Sequence, residues 1–220
     1  MACEGLNIKD IVCVDHVSKK FGKETVLKDV SLTVEEGEIV GIVGRNGSGK
    51  TVLFKMICGF FTPDEGRITV DDKVLGKDVE VPEEIGSIIE TPGFLNSFSG
   101  YRNLKFLADI RGKIGKTQIR NAMELVGLDP DSKKKVGKYS LGMRQRLGIA
   151  QAVMEDQKLL ILDEPMNGLD NHGVDAMRDL FMRLKIKGKT ILIASHNRED
   201  IDILCDRVFQ MDHGVLTKER

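Results

Sequence analysis

Gly44-Arg45-Asn46-Gly47-Ser48-Gly49-Lys50-Thr51 fits the pattern G-x-x-x-x-G-K-S/T, in which glycine backbone cradles phosphate oxygens, a lysine supplies a cation and a hydroxyl meets a metal ion. An apolar run, Glu38-Ile39-Val40-Gly41-Ile42-Val43, enters it, and Thr51 to Cys58 reads as a helix ended by Gly59 and Pro63. That strand, loop and helix context argues against an ordinary glycine turn. Gly47 and Gly49 let N–H groups approach an anion with no Cβ in the way, and the helix starting near Lys50 adds its positive end. The chemistry is that of a triphosphate cradle, with Lys50 bridging the β- and γ-phosphates and Thr51 holding Mg²⁺.

A second acidic site completes it. Leu159-Leu160-Ile161-Leu162-Asp163-Glu164 reads as a buried strand ending in two carboxylates. In extended geometry neighbouring side chains face opposite ways, which predicts Asp163 as the metal-shell residue and Glu164 as the general base facing an attacking water. A lone Asp-Glu pair would more often be a solvated turn; four apolar residues before it and the glycine loop beside it favour chemistry.

The elements that must position these residues follow from periodicity. Ile11 to Val14, Val30 to Val34 with Leu32 and Val34 on one face, and Arg67 to Val70 alternate as antiparallel strands with one wet face. Lys158 to Asp163 and Lys189 to Ser195 are unbroken apolar strands, as in a parallel sheet covered on both faces. Helical spacing in Val174, Met177, Leu180, Phe181 and Leu184 joins them as a right-handed crossover unit. From Ser87 to Gln157 the pattern predicts helices around Asn103 to Ile110, Lys116 to Val126 and Leu141 to Met154, an insertion between parts of the sheet. A last strand is expected over Arg207 to Met211, with a turn at Asp212-His213-Gly214.

The chain has 220 residues, 41% hydrophobic and 30% charged, enough for a sizeable core without disulfides. Lysine plus arginine number 33 against 34 acids, so the net charge of -1 gives no general attraction to nucleic acid. Cys3, Cys13, Cys58 and Cys205 are scattered with no C-x-x-C pair, which reads as reduced thiols in a cytosolic chain. The start, MACEGLNIKDIVCVD, lacks a basic n-region and an apolar h-region, and no run approaches the ~18 apolar residues of a membrane helix. Lys133-Lys134-Lys135 reads as a solvated loop.

In its ordered motifs the chain resembles the ATP-binding subunit of ABC transporters over nearly its whole length. Tyr139-Ser140-Leu141-Gly142-Met143-Arg144-Gln145-Arg146 resembles the family signature, Asn167-Gly168-Leu169-Asp170 the D-loop, and Ser195-His196 the switch histidine. Phe21, 23 residues before Gly44, stands where the family keeps an aromatic that stacks on adenine; core packing is the other reading of it. The resemblance implies an α/β fold of the P-loop NTPase type, with a mainly parallel central sheet, an N-terminal antiparallel β subdomain and a helical insertion. It implies one domain over 1–220, with 1–86 and 158–220 as the ATP-binding core and 87–157 as the helical subdomain. It also implies a head-to-tail dimer with a second ABC ATPase chain, each ATP held between Phe21 with Gly44 to Thr51 of one chain and Ser140 with Gly142 of the other. Asp170 would lie at the dimer contact, and His196 would meet the γ-phosphate and help position water. Ser140 can also cap a helix whose N-terminus points positive charge at that phosphate.

Two departures mark the branch. Ser140-Leu141-Gly142-Met143 replaces the usual Leu-Ser-Gly-Gly-Gln, and Glu90 in Ile88-Ile89-Glu90-Thr91-Pro92 stands where most of the family has glutamine. At an effective dielectric near 20, two unit charges ~4 Å apart interact by about 4 kcal/mol, so an unpaired Glu90 beside the γ-phosphate would weaken ATP binding. Near Mg²⁺ the sign reverses, which makes Glu90 a candidate metal-shell and catalytic residue linking nucleotide state to the helical insertion. Both departures resemble the branch serving bacitracin, lantibiotic and other antimicrobial-peptide exporters. That branch implies ATP and Mg²⁺ as cofactors, an integral membrane permease subunit as partner, no nucleic acid, and a cytoplasmic location on the inner face of the cell membrane. Asn96 to Leu104 lies where the family forms the groove for a membrane subunit's coupling helix, though its aromatics would equally pack inside the insertion. The alternatives are a soluble ABC ATPase of DNA repair or translation, and a small-molecule P-loop kinase, which the ordered signature, D-loop and switch residues disfavour.

Overall fold

The computed structural model describes residues 9–220; Cys3 and the start of the chain lie outside the described residues. The chain opens with β1 (Asp10–Phe21), β2 (Glu24–Glu35) and β3 (Ile39–Val43), followed by α1 (Lys50–Ile57). Next come β4 (Glu65–Val70), β5 (Lys73–Val74) and β6 (Ile85–Ile88), then α2 (Gly100–Arg111), α3 (Lys116–Leu125) and α4 (Leu141–Val153). The last part runs β7 (Leu159–Asp163), α5 (Asn171–Ile186), β8 (Thr190–Ala194), α6 (Arg198–Leu204), β9 (Arg207–Asp212) and β10 (Val215–Lys218).

Alternation along the early strands produces an antiparallel sheet in the order β2-β1-β4-β5. Its register sets Val12 opposite Val34 and Val70, and Val14 opposite Leu32 and Ile68, so one face is apolar and buried. The unbroken runs behave differently. β9, β3, β8, β7 and β6 lie side by side and parallel, and β10 adds an antiparallel edge on β9. Each inner strand feeds two cores. On β7, Leu159 and Ile161 join the layer that holds α1 and the antiparallel sheet, whereas Leu160 and Leu162 join the layer of α2 to α6. A strand buried on both faces cannot carry a polar alternation, which is why its sequence reads as continuous apolar residues.

The helical insertion is found as expected, with its boundaries fixed by caps. The Ser99 hydroxyl accepts from the Arg102 N–H at 3.4 Å, so α2 starts three residues earlier than the apolar spacing indicated, and Gly112 at φ 66° ends it. Ser140 caps α4 by accepting from the Met143 N–H at 3.2 Å. β6 is fastened against α4 by a missing side chain: a Cβ on Gly86 would lie 1.9 Å from the Ala152 carbonyl oxygen. Among the described residues no helix is long and apolar enough to cross a membrane.

Candidate active site

The buried inner strand β3 delivers the chain to the glycine loop at the carboxyl ends of the parallel strands, and α1 carries it away. Gly49 at φ 116° is the N-cap of α1, with no side chain closing the helix end, so the positive terminus faces the loop. A Cβ there would come within 2.9 Å of the Leu27 side chain and 3.1 Å of the Val26 carbonyl, so the bend needs glycine. Lys50 is buried, and its Nζ donates to the Gly44 carbonyl at 2.6 Å and the Arg45 carbonyl at 3.1 Å. Arg45, Asn46 and Gly47 form the exposed rim, whereas the Ser48 hydroxyl is buried with no hydrogen-bond partner. Together with Asp163 and Glu164 the loop encloses a cleft of about 340 Å³, reached from the antiparallel sheet by Glu24 and Val26.

The two acids are separated by a kink. β7 ends at Asp163, and Glu164 takes a left-handed φ of 50°, which replaces the expected strand alternation as the reason they point apart. Such a conformation in a non-glycine residue costs of order 1–3 kcal/mol. It is held by the Glu164 N–H donating to the Ala194 carbonyl at 2.9 Å and by Gln145 Nε2 of α4 donating to the Glu164 carbonyl at 3.2 Å. Thr51 Oγ1 donates to Asp163 Oδ2 at 2.7 Å. Burial pushes the Asp163 carboxyl above the ordinary carboxylate range, and the Thr51 hydrogen bond partly opposes it. Glu164 turns instead to the switch loop, where Oε2 lies 2.7 Å from His196 Nδ1; its Oε1 is buried and unpartnered. A carboxylate can only accept, so the proton of this pair is assigned to Nδ1, leaving Nε2 as an acceptor.

The donor set suits Mg²⁺ with a polyphosphate. Thr51 and Asp163 offer hard oxygen ligands side by side, and among the described residues no cluster of three or more His, Cys, Asp or Glu forms a self-sufficient metal cage. Mg²⁺ bound through one or two protein oxygens, substrate phosphates and water needs no such cage. The orphaned Ser48 hydroxyl, the Lys50 cation and the open helix end provide for the phosphates.

Glu90, at φ 60°, sits just past β6 and pairs with Lys55 Nζ at 2.7 Å. The repulsion expected of an unpaired Glu90 therefore does not apply as it stands: Lys55, one helical turn beyond Thr51, supplies a partner that no sequence motif marks. Gln145, inside the signature-like run, contacts the main chain of Glu164, a role its position in the run does not announce. Phe21 is 42% exposed at the end of β1, outside the residues that line the cleft, with Phe61 edge-on at a centroid distance of 5.3 Å and Lys19 Nζ 5.6 Å from its ring centroid, so core packing does not describe it.

Ser140, Gly142 and Asp170 do not join this cleft. They line a separate cavity of about 620 Å³ with Tyr139, Arg146 and Gly168. A Cβ on Gly142 would lie 2.9 Å from the Gly168 carbonyl, so the signature and the D-loop are in direct contact. Asp170 caps α5, accepting from the Gly173 N–H at 2.9 Å. Of the aromatics in 96–104, Tyr101 packs on the helical core, while Phe98 meets Phe106 edge-on at 5.1 Å. Exposed apolar groups gather nearby: Phe60 at 57% and Ile110 at 80% border two adjoining cavities of about 240 and 260 Å³ that share Ser87, Leu107 and Gln151.

A family model described as ABC transporter matches residues 27–167. Over 201 residues, 91% of the chain and 92% of the relative, the sequence is 43% identical to the uncharacterized ABC transporter ATP-binding protein YybJ of Bacillus subtilis strain 168. Over 211 residues it is 39% identical to the bacitracin transport ATP-binding protein BcrA of Enterococcus faecalis, covering 95% of the chain and 68% of that protein. Among solved structures, the fold is similar to that of cbiO1 from Clostridium perfringens, described as part of the ABC transporter complex cbiONQ, with TM-score 0.81 and 30% identity over 95% of this chain and 88% of that one.

Proposed function

The chain belongs to the ABC transporter family as an ATP-binding subunit with ATPase chemistry, and from that premise we propose that it powers export of a drug or antimicrobial peptide through a separate membrane permease, by ATP-dependent dimerisation. The observation that carries the reading is the meeting in one cleft of Lys50 and the Thr51–Asp163 pair with Glu164, which His196 holds at 2.7 Å. The name of BcrA supports the substrate class.

In this reading Lys50 exchanges its loop carbonyls for β- and γ-phosphate oxygens, and the N–H groups of Gly44 to Thr51 complete the cradle. Phe21 offers its exposed face to adenine. Thr51 and Asp163 would hold Mg²⁺, with Glu90 at the edge of that shell; the ion, when bound, draws charge from the phosphates. Glu164 takes the proton of the attacking water as general base, and His196 orients Glu164 through Nδ1 while Nε2, the acceptor, remains to take a hydrogen bond from water beside the γ-phosphate. Ser140 and the Gly142 N–H serve the nucleotide of a second ABC ATPase chain, and Asp170 lies at that contact. The core of 1–86 with 158–220 would bind ATP while the helical part, 87–157, together with Phe60 of the core, would meet the permease along the groove between Phe60 and Ile110, at the inner face of the membrane.

Titration of the purified chain with MgATP in a calorimeter tests the cleft. The parent chain should bind and Lys50→Ala should not; absence of heat with the parent chain overturns the assignment. Co-purification with a hydrophobic subunit, and a rise in bacitracin sensitivity of cells lacking this chain, test the transport role.

A further inference from the structure

One face of α1 presents two functional groups in succession. Thr51 and Lys55 are four residues apart, hence stacked on the same side of the helix. Thr51 bonds to Asp163, and Lys55 Nζ bonds to Glu90 Oε1 at 2.7 Å. The Lys55 side chain is only 24% exposed, lying along Phe61 with Nζ 6.0 Å from the ring centroid, whereas that of Glu90 is 62% exposed. The lysine is therefore the enclosed member of the pair and the carboxylate the exposed one. Among the described residues Lys55 is the hydrogen-bonding partner of Glu90. Directly after Glu90 the chain enters the helical insertion, where Pro92 packs against Gly148 of α4 so closely that a Cβ there would meet the ring at 2.7 Å.

We propose that Lys55 is a positioning residue for Glu90: it neutralises the carboxylate and pins it beside the Thr51–Asp163 pair, so that MgATP meets an acid of fixed place and compensated charge. The proposal rests on the reading of this cleft as the MgATP site. A glutamine at position 90 would need no such counter-charge, and an unpinned glutamate would be free to turn toward the phosphates and repel them.

A double-mutant cycle on the full chain separates positioning from plain charge. A cation acting through space on the phosphates contributes equally whichever residue stands at position 90, because Coulomb terms add in a fixed geometry. A cation acting by holding Glu90 loses its effect once Glu90 is gone. MgATP affinity is measured by calorimetry for the parent chain, Lys55→Met, Glu90→Gln and the double variant, with a melting curve on each to verify folding. Lys55→Met should weaken MgATP binding roughly 2–5-fold, the scale of a partly exposed ion pair, and should leave Glu90→Gln almost unchanged; Lys55→Arg should restore the parent value. Should Lys55→Met not fold, Lys55→Gln takes its place in the cycle. Equal losses in the two backgrounds, or none in either, overturn the proposal while leaving the cleft assignment intact. Failure of the parent chain to bind MgATP overturns both.

Discussion

Glu164→Gln isolates one function of the site. The substitution keeps the length and shape of the side chain, and the amide oxygen can still accept from His196 Nδ1, which now stands 2.7 Å from Oε2. The left-handed φ of 50° and its two backbone bonds, to Ala194 and from Gln145, do not involve the carboxylate. Lys50, Thr51 and Asp163 are untouched, so nucleotide binding should persist, and removing an anion beside the phosphates acts in its favour. What disappears is proton acceptance. A positioned general base contributes about 10²–10⁴ in rate, which at 1.36 kcal/mol per factor of ten is about 2.7–5.4 kcal/mol of barrier. Phosphate release at saturating MgATP should fall by that factor, and the variant should accumulate as an ATP-dependent dimer in size-exclusion chromatography, since the step that reopens it is blocked. Hydrolysis within tenfold of the parent chain, with binding intact, would refute the general-base role and move attention to His196 or Asp163.

Burial raises the Asp163 carboxyl in the nucleotide-free chain, so its ionised form weakens the fold above that raised value and the penalty fades as pH falls through it toward the ordinary carboxylate range. Asp163→Asn should accordingly raise the nucleotide-free Tm at neutral pH, by about 2–4 °C for ~1 kcal/mol in a chain of this size, lose that advantage in acid, and abolish Mg²⁺-dependent ATP binding; a lower Tm at neutral pH would contradict it. Gly86→Ala pushes a Cβ against the Ala152 carbonyl, and this overpacking should cost about 2 kcal/mol or more, seen as a Tm drop of at least ~4 °C; an unchanged melt would show that β6 and α4 separate easily. Burial pushes the Cys58 and Cys205 thiols up to about 12, so at pH 8 roughly one in ten thousand is thiolate, and iodoacetamide should leave both unmodified in the native chain; labelling at the rate of a free thiol would count against the packing described.

What was legible in the sequence was what local physics writes into consecutive residues. The glycine loop must be contiguous because one turn wraps one phosphate chain, and the inner strands must be continuously apolar because both their faces are covered. β6 left a weaker trace: Ile85-Gly86-Ser87-Ile88 is short, and its glycine is demanded by the approach of α4, not by strand propensity. α6, seven residues headed by Arg198, Glu199 and Asp200, spans too few turns for a periodicity to show. The kink that separates Asp163 from Glu164 leaves no trace in the sequence, since no residue type announces a left-handed glutamate. The Lys55–Glu90 pair joins residues 35 apart and the Gln145–Glu164 contact residues 19 apart, and only the folded sheet brings them together.

Those two non-local contacts give the site its architecture. α4 starts at Leu141 between its cap Ser140 and Gly142, on the cavity proposed for a partner's nucleotide, and four residues past its first residue Gln145 reaches the main chain of Glu164. Gly142 also rests on the Gly168 carbonyl, ahead of the Asp170 cap. A single rigid helix thus touches the proposed signature contact, the D-loop and the proposed base of its own cleft. The strain stored in Glu164 is maintained partly by α4, so a shift of that helix as a second chain docks would act directly on the orientation of the acid. If the proposed roles hold, hydrolysis need not wait on a long relay: the helix proposed to meet a second chain and the residue proposed as proton acceptor share one hydrogen bond.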